Sequence, residues 1–268
     1  MQSPKIEKRL TDSEIKRIKS CKIEHVNKPL RFVLALGKLA QKKSWGPFTE
    51  IAEVTSFDHA ISVSWSQAGE DIALIHALSG QQTGKYIDIG AHHPSRFSVT
   101  RHLYQLGWSG VNVDANQELI DIFSRIRTKD KNICVAVGSE SEYHFTIFEE
   151  AAISTLNPEW RDKFIGENNK IAREISVEGR KLRTILDDFQ PENRIDLLSI
   201  DAEGSDLQVL ESIHFETLEK SRFPRWLLLE TTPPVSNALE TPAVALAMRV
   251  GYVPHMVLPM STLLKFGG

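Results

Sequence analysis

From residue 85 onward the chain alternates between two kinds of segment, and this alternation most limits the folds it can adopt. Short apolar runs that end at a glycine or an acid are followed by stretches with helical periodicity. The pattern predicts strand 85–90, helix 97–106 ending at Gly107, strand 110–115, helix 116–127 capped by Asn116, and strands 132–138, 143–149 and 174–182. A short helix 184–189, strand 195–201, helix 205–213, strand 225–231, helix 236–250 and strands 252–258 and 261–266 follow. Strands alternating with helices call for a mostly parallel sheet covered on both faces, so the expected fold class is α/β. The last two strands, joined through Pro259, are expected as an antiparallel pair at the sheet edge. A helix over 67–79 precedes the series, with Ser66 as its cap and Glu70 and Asp71 in the first turn, where the helix dipole favours acids. Residues 150–173 are polar and lack a period, which predicts a long lid or substrate loop.

Composition matters chiefly for what it excludes. With 268 residues, 41% hydrophobic and 25% charged, the chain has the make-up of a globular protein with a sizeable core. No apolar run reaches the roughly 18 residues of a membrane-spanning helix, and the first residues, MQSPKIEKRL, lack a signal-peptide core, so a cytoplasmic location is expected. Cys21 and Cys134 are far apart and in no paired motif, which reads as two plain thiols. Residues 1–43 carry twelve basic and four acidic side chains, so 1–63 reads as a basic helical N-terminal extension, with helices over 10–42 broken near Pro29, and 64–268 as the main domain. The extension could touch an anionic surface; with no aromatic interleaving, no specific nucleic-acid partner is expected.

In a doubly wound sheet, ligands bind beyond the carboxyl ends of the strands. Those ends read Asp88-Ile89-Gly90, Asp114-Ala115-Asn116, Val137-Gly138-Ser139, Asp201-Ala202-Glu203-Gly204 and Glu230-Thr231-Thr232. Gly90 lets a ligand approach the backbone, a helix starting near Ser95 to Phe97 would present free amides, and Asp114 has the place of a carboxylate that accepts both ribose hydroxyls. His92, His93 and Pro94 stand where a pyrophosphate loop would keep glycines. A nucleoside without phosphates fits better, and S-adenosylmethionine is such a ligand, with a cationic amino group that Asp88 could hold directly or through water.

The stretches SWSQAGEDIAL, YIDIGAHHPSRFSVTRHLYQLGWSGVNVDAN, TILDDF, IDLLSIDAEGSDLQVLES and LLLET, in that order, resemble the FkbM family of S-adenosylmethionine-dependent methyltransferases over residues 64 to about 257. The resemblance implies a Rossmann-like class I methyltransferase fold with a reversed edge strand. It also implies O-methylation, often of a sugar hydroxyl in a polysaccharide, glycolipid or natural product. Carried over by position, Asp88, Gly90, Ala91 and His92 would lie along the methionine part of the cofactor, and Asp114 with Ala115 would hold its ribose. Ser139 or its neighbours would border the adenine, Asp201 would reach the cofactor from the neighbouring strand end, and Gln67 and Glu70 would close over the site. Val99 departs from the usual Asn and Asp206 from the commoner Glu.

A sugar hydroxyl is a poor nucleophile, so a base or a divalent metal is expected beside it. Asp201 and Glu203 are the candidates for base or orienting group, with Glu230 as a third acid and His92 as a further candidate. Three acids around one crevice would also suit Mg²⁺, a hard ion that takes oxygen ligands. Of His92 and His93, one is expected as a base and the other as a turn residue, since adjacent histidines lack metal-site spacing. Arg96, Arg125 and Arg127 would either bind an acidic glycan or pair on the helix surface. Residues 152–156, AISTL, could meet the acceptor. Two rival readings stand beside this one: a nicotinamide-dependent oxidoreductase, and a non-catalytic glycan or nucleotide-sugar binding module on the same fold.

Overall fold

The computed structural model describes residues 63–189, 194–231 and 235–268. The basic extension, its two expected helices and Thr232 lie outside the described residues. Helix α1 (Glu70–Ala77) leads into β1 (Lys85–Ile89), α2 (Arg101–Gln105), β2 (Ser109–Asp114) and α3 (Gln117–Ile126). Next come β3 (Lys131–Cys134), β4 (Ala136–Val137), β5 (Glu142–Phe148), α4 (Pro158–Gly166), β6 (Ile171–Arg180) and α5 (Leu182–Phe189). The chain ends through β7 (Leu197–Ile200), α6 (Asp206–Glu211), β8 (Trp226–Glu230), α7 (Pro242–Arg249), β9 (Tyr252–Val257) and β10 (Ser261–Phe266).

The main sheet has the order β3-β2-β1-β7-β8-β10-β9. β1 pairs in parallel with β2 and β7, and β7 pairs in parallel with β8. β10 is antiparallel to both β8 and β9, so the expected antiparallel pair closes the margin with β9 outermost. Strand order reverses between β1 and β7, the switch point at which such sheets open a crevice. A second sheet, β4-β6-β5, stands beside the first.

Side-chain parity divides the interior. Ile87 and Ile89 of β1 join Val111, Val113, Leu198 and Ile200 on one face, where Ile185, Val209 and Val244 bring in α5, α6 and α7. Tyr86 faces the other way, with Leu74 of α1, Leu103 of α2 and Trp108. On that face the core is partly polar: Asp130 accepts from Tyr86 Oη at 2.5 Å, Gly110 N at 2.9 Å and Asn112 Nδ2 at 3.0 Å.

Local chemistry explains where the elements depart from the sequence pattern. Residues 150–173 are not one loop: Asn157 Oδ1 accepts from Glu159 N at 2.9 Å, Pro158 takes the first helical position, and α4 follows. α1 begins after Gly69, in a left-handed conformation at φ 89°, and Ser66 does not occupy the cap position, although its Oγ accepts from Asp71 N at 3.2 Å. α2 begins only at Arg101, because Phe97 at φ 57° is not helical and His93 Nδ1 already accepts from Ser95 N and Arg96 N. The strand expected over 132–138 breaks at Val135, from which β4 leaves to pair with β6. The helix expected over 236–250 is a 3₁₀ turn followed by α7, which starts at Pro242.

Arg127 is neither a glycan ligand nor a surface pair. It lies fully buried at the end of α3, donating to Thr100 Oγ1 at 2.6 Å, Ser98 Oγ at 2.5 Å and Pro94 O at 2.9 Å. It thereby ties residues 94–100 to the sheet. Arg125 stays on the surface, its Nε donating to Asp121 O at 3.1 Å. Losing one partner from a buried charged network costs about 3–5 kcal/mol, whereas surface changes cost at most about 0.5. Arg127→Met is therefore expected to lower the urea midpoint sharply, while Arg125→Met leaves it nearly unchanged.

Candidate active site

The two strand ends at the switch point meet almost in contact. Asp201 N donates to Ile89 O at 3.1 Å, and a Cβ added to Gly90, whose φ is 73°, would fall 1.7 Å from Asp201 O. Only glycine fits there. Two cavities open on either side of this point, and Gly90 and Asp201 line both.

The first cavity is narrow and mostly apolar, walled by Val113, Ala115, Ala136, Phe145 and Leu156, with Asp114 at its edge. Asp114 Oδ2 accepts from His92 N at 2.9 Å and Oδ1 from Asn116 N at 2.8 Å. Burial raises the Asp114 carboxyl to about 6 despite these amides. Each oxygen keeps a second lone pair, so two hydroxyls can still be accepted. An apolar slot with a carboxylate at its mouth has the lining chemistry of a nucleoside site. Ser139 is not on this wall: it lines an outer cavity with Glu140 and Asn157, beyond Val137.

The second cavity, of about 250 Å³, contains the acids. Gln67, Glu70, His92, Asp201, Glu203 and Glu230 line it. Burial and the neighbouring acids push Asp201 up to about 7 and Glu203 up to about 8. Glu230 is raised further, by burial and then by Asp201, Asp206 and Glu203. Asp206, raised to about 6 by burial, sits beneath the turn with Oδ1 accepting from Ala202 N at 3.3 Å. Among the described residues no group of three or more His, Cys, Asp or Glu side chains is arranged to hold an ion, and the Mg²⁺ option is not carried further.

Residues 152–156 build both cavities: Ala152 and Ile153 line the second, Ser154 and Leu156 the first. Thr155 Oγ1 donates to Glu203 O at 2.8 Å and Asn157 Nδ2 to Gly204 O at 2.8 Å, holding a turn in which Glu203 has φ 45° and Gly204 φ 88°. Trp160, Lys163 and Phe164 of α4 form the wall beside Glu203. Sequence reasoning passed over them because residues 150–173 showed no period, although Asn157-Pro158-Glu159 carries a helix-start signal.

The two histidines divide their roles. His93 caps the following amides. His92, at φ 51°, lines the second cavity and stacks on Phe97 at a centroid distance of 6.2 Å. Neither of its buried ring nitrogens has a hydrogen-bond partner among the described residues, and burial followed by Arg96 and His93 lowers it to about 4. Arg96 pairs through both terminal nitrogens with Glu150 at 2.9 and 2.8 Å. Val99, the departure from the usual Asn, also lines the cavity. Ala91 is buried, its N donating to Val113 O at 3.0 Å. Of the expected cofactor contacts, Asp88, Ala91 and Ser139 line neither cavity; the Asp88 carboxylate accepts from Thr100 Oγ1 at 2.7 Å beneath the loop.

The family model for the methyltransferase FkbM domain matches residues 88–235, more than half of the chain. The chain belongs to the FkbM methyltransferase family. No curated protein matches it. Among solved structures it is similar to a TehB-like SAM-dependent methyltransferase from Corynebacterium glutamicum, with 12% identity over 81% of this chain and 96% of that one and a TM-score of 0.39. It is also similar to precorrin-6y C5,15-methyltransferase from Geobacter metallireducens, with 11% identity over 79% and 95% and a TM-score of 0.41. This FkbM methyltransferase takes its methyl group from S-adenosylmethionine, and the apolar slot, Asp114 and the acidic second cavity are a donor set that suits such a ligand.

The site acids also set how stability depends on pH. Asp201, Glu203, Asp206 and Glu230 all have folded pKa values above their ordinary ones, so from about pH 4 to about pH 8 the native state holds more protons than the unfolded chain. Their contribution is fully present below that window and is lost as pH rises through it. His92, lowered from 6.5 to about 4, acts oppositely over the acid part, as one group against these four and Asp114. The melting temperature of the donor-free enzyme is expected to fall from about pH 5.5 to about pH 8, with a shallower slope in Glu230→Gln.

Proposed function

We propose that this FkbM enzyme is a cytoplasmic O-methyltransferase acting on a hydroxyl of a sugar unit in a polysaccharide, glycolipid or glycosylated natural product. The observation that carries the reading is the second cavity, in which carboxylates and an aromatic wall face one another across a space contiguous with the nucleoside slot. Carboxylates accept hydroxyls, and aromatic faces cover the apolar face of a sugar ring. Its volume of about 250 Å³ lies just below the roughly 300–1,000 Å³ of small-molecule sites, which suits one sugar unit at the reacting end.

The bound donor supplies an electrophilic methyl group. The chain's own residues must position an acceptor oxygen in line with it, remove the hydroxyl proton and keep water out. Glu203 is the proposed base: its carboxyl, raised to about 8, matches a proton acceptor working near neutral pH, and the turn around it is fixed by Thr155 and Asn157. Asp201, raised to about 7 by burial and the neighbouring acids, is the proposed orienting group for the hydroxyl and the second candidate for base. His92 is neutral at working pH and offers a further acceptor nitrogen. Gly90, Asp114 and Ala115 are the proposed donor-binding residues along the first cavity, with Ala91 buried behind Gly90 and with His92, Gln67 and Glu70 on the second; Ser139, out in the next cavity, is left without direct contact.

A panel of neutral, amino and acidic glycans incubated with radiolabelled S-adenosylmethionine tests the acceptor class, and transfer confined to non-carbohydrate acceptors would refute it. On an accepted sugar, Glu203→Gln is expected to lower kcat by about 10²- to 10⁴-fold with donor affinity nearly unchanged. The wild-type rate is expected to rise between about pH 6 and pH 8 as the acid ionises.

A further inference from the structure

The methyl donor of this family carries an α-ammonium group, and a buried ammonium needs a counter-charge. The motif acid within β1, Asp88, does not supply one. Its side chain follows the parity of Tyr86 toward the α1 and α2 face, where it is 3% exposed and held by Thr100, which in turn accepts from Arg127.

Glu70 has what Asp88 lacks. It is 3% exposed and lines the second cavity beside Gly90 and Asp201, at the junction with the nucleoside slot. Its Oε2 accepts from Ala68 N at 2.9 Å, while Oε1 has no hydrogen-bond partner. A buried carboxylate oxygen without a donor is unfavourable unless a ligand completes it. The local fold presents it there. Asp71 accepts from Ser64 Oγ at 2.7 Å, Trp65 N at 2.6 Å, Ser66 Oγ at 2.8 Å and Ile72 N at 2.9 Å, and Trp65 O accepts from Ser98 N at 3.0 Å. The start of α1 is thereby fastened to its own lead-in and to the loop after β1, and Glu70 has little freedom to turn away.

We propose that Glu70, not Asp88, is the counter-charge for the α-ammonium group of the bound methyl donor, and that Asp88 is a structural acid that orders the loop beneath it. This rests on the donor alone and not on the sugar acceptor. The chemistry is a charge-assisted hydrogen bond from ammonium to Oε1, with Asp201 on the other side of the same junction.

The test compares two ligands by calorimetry on the full chain: S-adenosylhomocysteine, and its analogue with hydrogen in place of the α-amino group. The wild type is expected to prefer the amino ligand by about 10- to 100-fold. Glu70→Gln, which keeps the Ala68 hydrogen bond, is expected to bind both ligands alike by losing affinity only for the amino one. Glu70→Asp, shorter but still charged, is expected to keep part of the preference and guards against misreading a folding defect. Asp88→Asn is expected to melt earlier yet retain the preference. The proposal is overturned if the wild type does not discriminate, if Glu70→Gln keeps the discrimination or weakens both ligands equally, or if Asp88→Asn alone abolishes it.

Discussion

At the switch point of the sheet, the backbone of Gly90 lies so close to that of Asp201 that a single added carbon would sit 1.7 Å from a carbonyl oxygen. The contact follows from the parallel register of β1 and β7, in which Ile89 faces Ile200 and the next residues must leave the sheet together. Much of the site depends on this leave-taking. β1 turns one way, into the loop that carries His92 and Phe97, and β7 turns the other way, into the turn that carries Glu203. The crevice between them becomes two cavities because Gly90 and Asp201 stand in the middle as a shared sill.

The same strand explains both what could be read from the sequence and what could not. The alternation of apolar runs and helical stretches fixed the class, since no one-sided sheet accommodates strands like Leu197–Ile200, buried at every residue. Asp114 and the Asp201-to-Gly204 turn were legible because acids after an apolar strand fall at the carboxyl edge whatever else the fold does. Asp88 lies off the cavities for a geometric reason: it is inside β1, and its face is fixed by parity. The motif shows the acid but not the direction in which it points. Arg127 misled in the opposite sense, since a charge at a helix end reads as solvated until a buried loop is found to need a cation. Trp160 and Lys163 escaped notice because α4 is a nine-residue helix whose apolar positions face a cavity instead of a continuous core.

Backbone strain concentrates where the chemistry is expected. Among the described residues, the non-glycine positions with left-handed φ are His92, Phe97, Asn168, Glu203 and His214, and three of these line the second cavity. Such conformations cost on the order of 1–3 kcal/mol each and persist only where neighbours over-determine them. The neighbours here are identifiable: Asp114 holds His92 N, His93 takes the amides leading to Phe97, and Thr155 holds Glu203 O. The strain is therefore maintained by side chains that themselves belong to the site or to its walls.

The coupling is tightest at Gly204. A Cβ there would lie 2.2 Å from the Trp160 ring, so the indole rests on bare backbone, and Asn157, which caps the helix carrying Trp160, also donates to Gly204 O. The helix cap, the aromatic wall and the turn that aims Glu203 are consequently one mechanical unit. Were Gly204 to gain a side chain, the ring would have to lift, and α4 would tilt away from the cavity with Lys163 on it. Burial is the main cause of the raised Glu203 carboxyl, and a wall that moved away would lessen that burial. The packing beside Glu203 and the position of α4 on the cavity wall thus share one contact between an indole and a glycine.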